Sequence, residues 1–142
     1  MNGALATASV LSALTAVLHG GLGESAILRG AIKTPLPWLR TARVFSFLAA
    51  DTPEANTNLQ WRYLRATWHL LTVDFIVSAV LFAVCALAPT EKLTLAAQIT
   101  AIRYAGYAVL WLIVVAMHHK SILHAPQWLL LLTIAVCVWL GH

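Results

Sequence analysis

The side chains able to do chemistry are few, and they come in a pattern. His19 is followed five residues later by Glu24, and His69 five residues later by Asp74. Both pairs sit in or beside long apolar runs, where ionisable groups are costly and face a bundle interior or a polar cavity. Histidine with carboxylate is a donor set for zinc, iron or manganese. Two histidines on facing helices suit a haem, with Arg62 or Arg65 meeting its propionates. Proton handling is a third use, because imidazoles and buried acids titrate near neutral pH when their surroundings shift them. The spacing selects none of these: the H-x-x-x-G-E run is not H-E-x-x-H, and no second H-x-x-x-H follows. A nucleophile elbow, a P-loop and a dinucleotide turn are all missing from the sequence.

The elements that position these residues follow from composition. The chain has 142 residues, 61% hydrophobic and 10% charged. A soluble domain of this size has too little interior to hide that much apolar surface, which implies one integral membrane domain over residues 1–142. Four apolar segments are expected to be helices, at about 4–23, 61–88, 93–117 and 127–141. The first three approach or exceed the ~20 residues needed to cross ~30 Å of hydrocarbon. The fourth is short and calls for local thinning of the bilayer. The opening segment lacks the Lys or Arg of a signal peptide and reads as an uncleaved span. Cys85 and Cys137 have no C-x-x-C spacing and read as small apolar packing residues.

The connections differ. "APTEK" is tight, so the second and third helices form an antiparallel hairpin, with Thr90 as cap and Glu91 in the first turn. Pro126 suits the first turn of the fourth helix. The first loop is long, and its stretch from Trp38 to Leu48 reads as a short interfacial helix. "DTPEANTN" reads as a polar turn before the second span. The expected fold is therefore all-α, a membrane four-helix bundle with a long first loop carrying an interfacial helix.

Net charge is +4, and Arg29, Lys33, Arg40, Arg43, Arg62 and Arg65 cluster after the first run. In so apolar a chain this is a cytoplasmic segment beside anionic lipid, and nucleic acid is not an expected partner. The positive-inside rule then places both termini on the non-cytoplasmic side. With this topology His19, His69, His118, His119 and His124 gather at the cytoplasmic end, and only His142 falls at the other. The expected pocket is lined by His19, Glu24, His69 and Asp74, supported by Arg62, Arg65, Arg103, His118 and His119. Arg62, Arg65 and His69 form one stripe on their helix. Gly20, Gly21 and Gly23 allow close approach or unwinding of the first helix.

The segments "LHGGLGESAILRG" and "RATWHLLTVDF" resemble those of uncharacterised small bacterial four-helix membrane proteins. In those proteins an H-x-x-x-G-E run closes helix one and W-H opens helix two. The matching residues are His19, Gly23, Glu24, Trp68 and His69. The resemblance covers about the first half of the chain. It implies the four-helix layout and a bacterial inner membrane, and it brings no activity. Three functions fit the residues: a pocket for a metal, haem or polar lipid-like ligand; an accessory subunit of a larger membrane complex; and a proton-coupled transporter working as a homodimer.

Hairpin geometry places Asp74 opposite Tyr104, one position from Arg103, and ~20 Å from the turn. Asp74 and Arg103 are expected to form a structural ion pair. Changing Arg103 to Leu alone is expected to impair folding more than changing both residues to apolar ones, because the single change strands a buried carboxylate. Equal yields of folded protein from the two variants would refute the pairing.

Overall fold

A computed structural model describes residues 1–21, 53–118 and 126–141, with the backbone alone for 53–61 and 118. Among the described residues there are four helices and no strand: α1 (Gly3–Val17), α2 (Pro53–Leu87), α3 (Glu91–His118) and α4 (Gln127–Leu140). Three stretches are long and apolar enough to cross a membrane: Gly3–Gly21, Arg62–Leu87 and Glu91–Met117. Of their apolar windows, only 22%, 33% and 28% of residues are buried, so most of this apolar surface needs another apolar environment. The expected interfacial helix at 38–48 lies outside the described residues.

The helix ends follow local chemistry. Thr90 caps α3 as expected: its Oγ1 accepts from the Leu93 N–H at 3.3 Å, and its carbonyl accepts from Thr94 at 2.8 Å. Glu91 lies in the first turn of α3. Two expectations are corrected. The "DTPEANTN" stretch is helical from Pro53 onward, so α2 has 35 residues and runs for about 52 Å. Proline preset for a first helical turn, followed by Glu54 and Ala55, starts a helix whose polar side chains hid it from a hydropathy reading. Pro126 sits at the N-cap of α4 rather than inside its first turn, and its carbonyl accepts from Leu129 at 2.9 Å. The 14 residues of α4 span about 21 Å, short of a full crossing.

The chain divides into two compact units: residues 1–15 with 75–142, and residues 16–74. In the first, α2 and α3 form the antiparallel hairpin, joined by residues 88–90. Phe75 meets Tyr104 with ring centroids 5.8 Å apart, and Cys85 Sγ lies 3.4 Å from the Leu93 carbonyl. That is the expected register. The α1 segment runs antiparallel to α2, since the Asn2 N–H donates to Ala86 O at 2.9 Å and Ser9 Oγ to Ala79 O at 2.8 Å. Trp111 Nε1 donates to Gln127 Oε1 at 3.2 Å, so α4 starts level with Trp111 of α3.

Asn2 ties one end of this unit. Its Oδ1 accepts from the N–H groups of Ala4 and Leu5, capping α1, while its Nδ2 donates to Gly141 O at 2.7 Å. Gly141 ends α4 against Leu5, and a Cβ there would come within 2.7 Å of Leu5 Cγ. The interior includes small residues at helical spacing, such as Ala8 with Ser12 and Ala97 with Ala101 and Ala108, which let backbones approach closely. Larger residues such as Val80, Ile99 and Ile102 point outward.

Tyr104 is the largest fully buried side chain among the described residues. It is 0% exposed and packs against Phe75, Phe82 and Tyr107, and its hydroxyl is hydrogen-bonded to Ser12 Oγ at 3.2 Å. Tyr104→Phe and Ser12→Ala each break this bond and are expected to cost about 1 kcal/mol. The double variant should lose little more than either single one. Tyr104→Ala, which also empties the ring's site, should cost about 3–5 kcal/mol. Reversible unfolding in mixed micelles measures all four variants. Strictly additive single effects would show that the two hydroxyls do not share a bond.

Candidate functional site

The second unit, residues 16–74, contains His19, Glu24, His69 and Asp74 together with Arg62 and Arg65. Its described parts are the end of α1 and the first six turns of α2. After Val17 the chain widens into a π-helical turn over residues 18–21. Such turns are rare inside helices and recur where a side chain is held in a special position. Here the side chain is His19.

Three contacts fix it. The imidazole lies flat on the indole of Trp68, with centroids 3.9 Å apart and planes 10° from parallel. His19 Nδ1 is hydrogen-bonded to Thr72 Oγ1 at 3.0 Å. The Trp68 Nε1–H donates to the backbone carbonyl of His19 at 2.8 Å. One indole thus holds both the ring and the backbone of His19. Trp68 and Thr72 stand four residues apart on α2, so they present one face to His19. The Thr72 hydroxyl also donates to the Trp68 carbonyl at 3.3 Å, a back-bond within the helix.

Gly20 makes this approach possible. A Cβ on Gly20 would come 2.8 Å from Thr72 Cγ2, whereas one on Gly21 would meet nothing within 4 Å. Of the two described glycines at this turn, Gly20 alone is needed for the close contact.

The other expected site residues are distributed unequally. His69 is exposed on α2, next to Trp68 in the chain and three residues before Thr72. Arg65 and Arg62 are exposed one and two turns earlier, respectively. Asp74 is half-buried with its Oδ2 shielded from solvent. Two residues of helix turn it about 160° away from Thr72, so α2 meets His19 with a different face. Glu24 and His119 lie outside the described residues, and His118 is the last residue of α3. Arg103, in the first unit, donates from Nη2 to Ser78 Oγ at 3.0 Å. Among the described residues no group of three His, Cys, Asp or Glu side chains is placed to hold a metal ion. Trp68 and Thr72 are the site residues that a search for titratable groups overlooks. Their signal in the sequence is the i, i+4 spacing beside His69.

Gly20→Ala is expected to destabilise the protein by about 1–3 kcal/mol, because the β-branched Thr72 side chain has little freedom to give way. Gly21→Ala is the matched control and should be nearly neutral. Adding Thr72→Ser, which deletes Cγ2, should restore most of the loss. Unfolding midpoints in detergent test this, and equal effects at the two glycines would contradict the tight contact. Comparison with known proteins attaches no relative to this arrangement: no protein-family model matches the chain, and no curated protein or solved structure matches it.

Proposed function

We propose that the chain is a multi-pass four-helix bundle whose cytoplasmic-leaflet end carries a small pocket for a ligand held by imidazole: a metal ion, a haem or a polar lipid-like molecule. The pocket residues in this reading are His19, Glu24 and His69, flanked by Arg62 and Arg65, while Asp74 lies on another face of α2. The orientation rests on the basic residues from Arg29 to Arg65, which favour the cytoplasmic face and leave both termini outside. A bacterial inner membrane is the matching compartment.

The observation that carries the proposal is the restraint on His19. A histidine that only ended a span would need no fixed rotamer and could reach into the headgroups. His19 is stacked on Trp68, hydrogen-bonded to Thr72 and tied through its own carbonyl. Ligand sites are built this way, with a reacting side chain whose orientation is set by its neighbours. His69, three residues before Thr72 on the same helix, supplies a second imidazole in this reading.

Purified full-length protein tests the proposal by metal analysis, by its absorption spectrum, and by titration with Zn²⁺, haem or anionic lipid. One of these ligands is expected to bind with an affinity that falls at least tenfold in His19→Ala and in His69→Ala, while helicity is kept. A colourless, metal-free protein whose binding of all three is indifferent to both substitutions would overturn it and favour an accessory role in a larger complex.

A further inference from the structure

The hydrogen bonds around Thr72 bear on which nitrogen of His19 meets a ligand. A threonine hydroxyl has one proton to give and lone pairs to receive. Thr72 Oγ1 stands 3.3 Å from the Trp68 carbonyl, which can only accept, and 3.0 Å from His19 Nδ1, which can do either. Both contacts are hydrogen bonds at once in one arrangement only. The hydroxyl gives its proton to the carbonyl, and Nδ1–H gives its proton to the hydroxyl.

We propose that Thr72 is a positioning residue that holds neutral His19 as the Nδ1–H tautomer, so that Nε2 is the pyridine-type nitrogen of the ring. The relay runs from Nδ1–H through the Thr72 hydroxyl to the Trp68 carbonyl. Trp68 also clamps the ring plane by stacking, so the direction of the Nε2 lone pair is fixed as well as its identity. A pyridine-type nitrogen suits an electron-pair acceptor as its ligand. Metal-bound histidines commonly donate their second ring N–H to a neighbouring acceptor that fixes tautomer and orientation. The relay survives protonation of His19, because the imidazolium still donates from Nδ1. Only the chemistry at Nε2 changes.

The proposal deepens the ligand-pocket reading and rests on it for the ligand, but its test needs none. Full-length protein labelled with ¹⁵N at histidine, stripped of metal and held in detergent near pH 8, reports the tautomer through the ring nitrogen shifts. That pH lies above the ordinary titration range of His, which centres at about 6.5. His19→Ala identifies the signals. The expected result is a pyrrole-type Nδ1 and a pyridine-type Nε2 for His19, with the Nδ1–H form at least tenfold in excess. Thr72→Val keeps the shape and the Cγ2 contact with Gly20 but removes the hydroxyl, so the Nε2–H form should become the major one. Thr72→Ser should restore the wild-type pattern. An Nε2–H form in the wild type, or an Nδ1–H form unmoved by Thr72→Val, overturns the proposal. The Nδ1–H pattern in a protein that binds no metal, haem or lipid would leave this assignment standing and remove the ligand-pocket reading instead.

Discussion

Every polar group placed along these apolar helices has to be answered from within the protein, and that constraint organises the rest. Hydrocarbon offers no hydrogen bonds, so a hydroxyl or guanidinium at mid-helix either turns back on its own backbone or finds a partner across a helix contact. Thr15, Thr100 and Thr133 take the first course, each donating to the carbonyl four residues earlier. Ser12, Ser78 and Ser9 take the second, meeting Tyr104, Arg103 and the Ala79 carbonyl. Since helix association in lipid gains little from burying apolar area, these few bonds and the close small-residue contacts carry the specificity of the packing.

The same rule explains why a tyrosine rather than another aromatic stands at position 104. A phenylalanine would supply the ring contacts to Phe75 and Phe82 but would leave Ser12 facing it with its hydroxyl unanswered. Around Tyr104 the core is therefore apolar except where its hydroxyl meets Ser12. At the tied end, Asn2 works likewise with a single amide, capping α1 with its oxygen and holding the carbonyl of Gly141, the C-cap of α4, with its nitrogen.

Much of this was legible in the sequence where one period or one rule governs. The tight "APTEK" turn dictated the hairpin register that Phe75 and Tyr104 show, and Thr90 announced its capping role by type and position. The start of α2 was not legible, because Asn56, Thr57 and Asn58 lower hydropathy without breaking a helix. The face of α2 that meets α1 was read from the titratable residues His69 and Asp74, while the contact is made by Trp68 and Thr72. Neither of these titrates, and their role appears only once Gly20 brings the two backbones close. His19 was recognised as a chemical group. Its orientation depends on neighbours some fifty positions away in the chain, which no local pattern reports.

The close contact of Gly20 with Thr72 has a consequence that reaches beyond this one molecule. The methyl and the hydroxyl of Thr72 leave the same carbon: one fits against the bare backbone of Gly20, and the other bonds the imidazole. A side chain at position 20 would displace both together. Packing and orientation at His19 are therefore inherited as one unit. In any set of chains sharing this helix crossing, positions 20 and 72 should covary, and a chain that gave up the glycine would surrender the poise of its histidine even with the histidine itself retained.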